Sequence, residues 1–227
     1  MLLYLDQNYA SRIAKHLIGQ RHHQHFGVLY QALKARRDLL IPPSPFHVLE
    51  TRGGYLLPTL KVLFREFSQG YWVRPWQEVV RRQLERGGLA PEDLLERRGS
   101  WERAAELGPL EGIVALELDG GFLRRAWRAR EELAARLGVA EARTNSLPFF
   151  WLLSRFLAFR SLDRERYPRD SDLTDLVMAA TIGPYADLLA TDRYMRELMM
   201  RVGYRGGVFS GRRREVLRLA ELLTSHN

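Results

Sequence analysis

The chain has 227 residues, 46% of them hydrophobic, no cysteine and a formal net charge of +8. This suits a soluble globular domain with an ample core and excludes disulfides and thiolate metal sites. No apolar run approaches the roughly 18 residues of a membrane span. Asp6 breaks the first apolar run and no basic segment precedes it, so a cytoplasmic protein without membrane contact is expected. Of the 35 basic residues, all but Lys15, Lys34 and Lys61 are arginines. Guanidinium forks match phosphate geometry, so the charge fits a nucleic-acid partner. The codon bias of a GC-rich genome produces the same arginine-for-lysine ratio.

In chain order, "LLYLD" reads as a short buried strand ending at Asp6. "NYASRIAKHLIG" follows as a helix capped by Asn8, with Tyr9, Ile13 and Leu17 on one side. "HFGVLYQALKARR" repeats helical spacing at Phe26, Leu29 and Leu33. "DLLIPP" reads as a second strand stopped by prolines, and "SPFHVLET" as a helix with Ser44 as cap and Pro45 in its first position. "LPTLKVLFREF" continues as helix, and "GYWVRP" reads as a third strand at a sheet edge. From Trp76 to Arg169 only helical patterns occur, separated by Gly pairs and Pro. Then "DLTDLVMAATIG", "ADLLAT", "DRYMRELMMRVG", "GGVFS" and "RREVLRLAELL" alternate helix and strand. This alternation predicts an α/β fold: a parallel, Rossmann-like sheet of about five short strands flanked by helices. Residues 1–227 form one domain in this reading, with a large all-helical insertion over 76–169.

In parallel α/β sheets, the loops at the carboxyl ends of strands build the site. Asp6 ends the first strand and Asp192 ends "ADLLAT". Asp172 and Asp175 open the helix leading into that strand, and Glu50 lies in the first helix after the second strand. A fold that gathers these acids crowds like charges, which repel unless a cation lies between them. All-oxygen donors favour Mg²⁺ or Mn²⁺.

"LYLDQN", "PPSPFHVLE", "DSDLTDLVMAA" and "LLATDRYM" stand in the order of the four acidic blocks of PIN-like domain nucleases. The chain resembles that family over about residues 1–75 and 165–215. The resemblance implies divalent-metal-dependent phosphodiester hydrolysis, most often of RNA, with single-stranded DNA as the other substrate. It implies Asp6, Glu50, Asp175 and Asp192 as the catalytic acids. Asp6, Asp175 and Asp192 would hold Mg²⁺ or Mn²⁺ directly, and Glu50 directly or through water. Asp172 is either a fifth ligand or, paired with Asp175, a helix cap. Asn8, Thr191 and Arg193 are candidate substrate contacts. The implied setting is a toxin, a defence component or an RNA-processing enzyme, with an antitoxin or defence-system protein as partner; the oligomeric state is left open. Residues 76–169 have no counterpart in a minimal PIN domain, and Asp170, Asp172 and Asp187 are acids outside the pattern.

Two other readings compete. A non-catalytic PIN-like module that binds nucleic acid or protein would have lost acids, yet all four positions are filled. A haloacid-dehalogenase-type phosphatase needs a second Asp two residues after the first, where this chain has Asn8. His22, His23 and His25 in "RHHQHF" suggest zinc, but only residues three apart share a helix face, so a solvated basic face is expected. "FFWLLSRFLAF" reads as the core of the insertion, Arg212–Arg214 as a solvated helix start, and Asp187 as a strand-entry residue.

Overall fold

The computed structural model describes residues 1–51, 53–87, 90–163, 170–204 and 206–225. Residues 164–169, where the insertion is expected to end, lie outside them. The chain runs through β1 (Leu3–Leu5), α1 (Gln7–Leu17), α2 (Gln24–Ala35), α3 (Pro45–Thr51), α4 (Leu57–Phe67) and β2 (Trp72–Val73). Next come α5 (Trp76–Arg86), α6 (Pro91–Leu94), β3 (Leu95–Glu96), α7 (Phe122–Arg136), α8 (Glu141–Thr144) and α9 (Pro148–Leu162). The last part is α10 (Asp170–Ile182), β4 (Leu188–Thr191), α11 (Arg193–Arg201), β5 (Gly207–Ser210) and α12 (Arg213–Thr224).

The fold is mixed α/β, and among the described residues its parallel sheet has three strands in the order β1-β4-β5. Leu3 pairs with Leu188 and Leu5 with Ala190; Leu189 pairs with Val208. The sheet is smaller than the five strands expected. "DLLIPP" contributes a single parallel bridge, Leu2 to Leu40. Pro42 and Pro43 follow at once, and without N–H groups they cannot extend a ladder. "GYWVRP" does not join this sheet: β2 pairs antiparallel with β3, Trp72 opposite Glu96. The insertion therefore carries a short strand and is not wholly helical.

Period-2 alternation divides the strands between two cores. Leu3, Leu5, Leu188, Ala190 and Phe209 face α1, α2, α4 and α12. Tyr4, Leu189 and Val208 face α10, α11 and helices of the insertion. Covered on both sides, these strands are mostly apolar, as parallel strands usually are, with Thr191 and Ser210 at their ends. "FFWLLSRFLAF" lies in α9, where Phe149, Phe150, Leu153 and Phe156 are fully buried. They share one cluster with Leu176 and Val177 of α10 and Met199 of α11. The insertion thus completes the core on one face of the sheet. Phe156→Ala is expected to cost about 3–5 kcal/mol, read by urea unfolding as a shift of one cooperative transition. A separate transition affecting only part of the signal would show that the insertion folds independently.

Candidate functional site

Adjacent strands β1 and β4 are both followed directly by an aspartate, Asp6 and Asp192. The Asp6 amide donates to the Ala190 carbonyl at 2.8 Å, carrying the ladder one residue past β1. Asp6 and Asp192 then cap the helices that follow. Tyr9 N–H donates to Asp6 Oδ1 at 2.9 Å and Met195 N–H to Asp192 Oδ1 at 2.7 Å, with both caps in extended conformation. Asn8, expected as the first cap, is instead the second residue of α1 and exposed. A cap needs an extended backbone, and Asp6 at the strand end already has it.

The third and fourth acids arrive on α3 and α10. Asp175 is pushed up to about 8, first by burial, then by the charges of Glu50, Asp6, Asp192 and Asp172. Asp6, almost fully buried, is raised to about 7 by burial and by Asp192, against the stabilising Tyr9 amide. Glu50 is raised by desolvation and by Asp6. It is nevertheless exposed; a side chain on a cleft wall is crowded by protein yet open to water, and that water screens its charge. Asp175 therefore feels the other three acids expected to act with it, Asp6 feels Asp192, and Glu50 feels Asp6. Among the described residues none of the four has an ion-pair partner. Equally, no three histidines or acids among those residues stand close enough to hold a metal ion jointly. The donor chemistry suits a hard divalent cation; the spacing does not form a closed cage.

Asp172 differs. The helix begins at Asp170, so Asp172 is its third residue and not its cap. Its carboxylate faces Arg160 at 3.5 Å, both side chains buried, and Arg160 also donates to the Val114 carbonyl at 2.7 Å. Asp172 thus already has a cationic partner, which weakens its candidacy as a ligand. Thr191 is buried beside Asp6 and favours the ionised carboxylate, although its hydroxyl finds no hydrogen bond of good geometry. Arg193 is exposed and pairs with Glu197 along its own helix at 2.9 Å. Asp187 accepts from the Leu2 amide at 2.6 Å, at the entry to β4. The three histidines sit on the turn Arg21–His23 and the start of α2, with His23 and His25 packed against the Phe26 ring. Arg212–Arg214 are exposed where α12 starts.

Behind the acids lies a buried polar network that no sequence pattern pointed to as a unit. Ser44 caps α3, accepting from the His47 amide at 3.3 Å. Ser44 N–H donates to His47 Nδ1 at 3.0 Å, which assigns the ring proton to Nε2. Nε2–H then donates to the Leu5 carbonyl at 2.7 Å, and Tyr4 meets the Ser44 hydroxyl at 2.8 Å. Leu5 needs this donor because, after Pro42 and Pro43, the chain turns into α3 and no strand N–H among the described residues pairs with it on that edge. Burial lowers His47 to about 4, so it is neutral at physiological pH. His47 ties the helix that carries Glu50 to the residue before Asp6. The Ser44–His47 spacing was visible in "SPFHVLE", but the carbonyl it serves was not.

No family model matches the chain, and no curated protein or solved structure matches it significantly.

Proposed function

We propose that the chain is a PIN-like, divalent-metal-dependent nuclease that cleaves RNA. One observation carries this reading: Asp6, Glu50, Asp175 and Asp192 converge at the carboxyl end of two adjacent parallel strands without a cationic partner among the described residues. Such crowding is tolerable at neutral pH only if protons or a cation offset it. Each capping aspartate spends Oδ1 on a helix amide. On this reading Asp6, Asp175 and Asp192 would hold Mg²⁺ or Mn²⁺, with Glu50 direct or through water, after drawing closer together than they stand here. A bound ion supplies an acidified water and neutralises charge on the phosphate. The backbone amides of Tyr9 and Met195 keep the two aspartates oriented, and His47 keeps α3 in place. The net charge of +8 favours a polyanionic substrate. Among the described residues no helix is long and apolar enough to cross a membrane.

The test is incubation with labelled single-stranded RNA and DNA in Mg²⁺, Mn²⁺ or EDTA. RNA cleavage that disappears in EDTA is expected. Asp6→Asn should reduce it by about a hundredfold or more, since even losing a group that only orients a metal ligand costs about 10–100-fold. Cleavage that survives EDTA, or full activity of Asp6→Asn, would overturn the reading. Absence of both cleavage and Mn²⁺ binding would favour the non-catalytic module.

A further inference from the structure

Away from the acids, a groove of about 370 Å³ opens between α4 and the β2–β3 ribbon. Its size falls within the range of small-molecule sites. Trp72 and Trp101 line it edge to face, with ring centres 5.3 Å apart, and Phe64 closes the wall 5.8 Å from Trp101. The Trp72 ring is braced: the Gly99 backbone lies so close that any Cβ there would run into the indole. Val73 N–H donates to the Pro43 carbonyl at 2.8 Å, fixing the ribbon to the groove's far side. The aromatic surface is therefore built in advance.

The charges along this groove have one sign. Lys61 and Arg65 line it from the exposed face of α4, and among the described residues no acid lines it. Among the described residues neither cation has an ion-pair partner. Like charges four residues apart weaken a helix, so an anion there would relieve both. Nearby acids are engaged elsewhere: Glu66 with Lys34 at 3.5 Å and Tyr30, Glu96 with Arg74 at 3.4 Å and Arg103. Arg97, 4.3 Å over the Tyr71 ring, adds a third cation at the rim near Gly70.

We propose that this groove binds a nucleotide unit of a single-stranded nucleic acid, its base against Trp72 and Trp101 and its phosphate at Lys61 and Arg65. Flat aromatic surfaces beside unpaired cations are how proteins hold unpaired strands without reading sequence. An acidic peptide would use the cations but has no flat ring for the indoles. The groove is linked to the acids through the core: Phe64 packs on His47 at 4.5 Å, and His47, also buried, holds the carbonyl preceding Asp6. Delivery of a strand from groove to acids rests on the nuclease reading; binding in the groove does not.

The experiment titrates the full chain with a fluorescein-labelled single-stranded RNA 12-mer in EDTA, where no metal-dependent cleavage occurs. Binding is read by anisotropy and by tryptophan quenching. The Lys61→Glu/Arg65→Glu double variant, altered only at exposed positions, should bind at least about tenfold more weakly. Its log affinity should depend less on log salt, by about 0.7 for each phosphate that no longer meets a cation. Trp101→Ala should weaken binding about tenfold and reduce the quenching, Trp72 being left to report it. Arg213→Glu/Arg214→Glu, the same charge change on another face, should bind nearly as the wild type. Equal losses in the two double variants, or none in either, would overturn the proposal. So would a poly-glutamate peptide or a free mononucleotide binding as tightly as the 12-mer. Because binding is measured without metal, failure of cleavage and failure of this groove are separate results.

Discussion

Asp172→Asn is expected to destabilise the protein by about 3–5 kcal/mol, whereas Asp175→Asn, three residues further along the same helix, stabilises it. Asp172 faces the buried Arg160, so removing its charge strands a guanidinium away from water. Asp175 faces other acids, and its raised pKa of about 8 means that the folded state holds a proton the unfolded chain releases near 3.8. The folded protein then binds more protons than the unfolded one, and stability falls as pH rises between those values. Asp6 and Glu50 act in the same direction. His47 opposes them: its pKa is lowered from 6.5 to about 4, so its contribution is present above 6.5 and lost as pH falls toward 4. The clear window is therefore above pH 6.5, where the acids act alone. There the metal-free protein should lose stability up to about pH 8, and Asp175→Asn should flatten that slope. A difference of one in pKa between folded and unfolded states corresponds to about 1.36 kcal/mol, so a gain of about 1–3 kcal/mol at pH 8 is expected after allowance for solvent. Urea unfolding in EDTA at pH 6.5 and 8 measures both variants. A loss of stability in Asp175→Asn at pH 8 would show that its carboxylate has a structural partner.

His47→Ala should cost about 2–4 kcal/mol through its lost hydrogen bond and the cavity left beside Phe64 and Tyr4. The more telling effect is on the acids. Without the Nε2–H bond to Leu5, α3 is no longer tied to β1, and Glu50 drifts relative to Asp6. On the nuclease reading, the Mn²⁺ concentration for half-maximal cleavage should rise about tenfold, as when other groups that orient metal ligands are removed. His47→Gln, which keeps a donor, should recover part of it. A structural role alone would lower stability and leave the metal requirement unchanged. His47 stays neutral across pH 6–8, so a step in activity near 6.5 that vanished in His47→Gln would make it a proton carrier and contradict this positioning role.

Much of the local structure around the candidate acids was legible in the sequence. Asp6 and Asp192 each stand where a short apolar strand meets a helix, and that junction is written in adjacent residues. The density of large apolar residues in "FFWLLSRFLAF" likewise marked a core helix without knowledge of its neighbours. What only the tertiary structure decided were matters of partnership. "DLLIPP" and "GYWVRP" have strand-like composition, but a strand exists only with a partner. The prolines stop the first after one bridge, and the second pairs with Leu95–Glu96 of the insertion. Asp172 and Asp175 look alike in sequence; one meets Arg160 and the other meets carboxylates, because residues three apart on a helix point to overlapping but unequal surroundings. The insertion stands apart in sequence because its pattern differs, yet its phenylalanines cover Val177 and Leu189 in one continuous core. Periodicity reports which side of an element is buried, whereas the identity of what covers it depends on contacts between residues far apart in the chain.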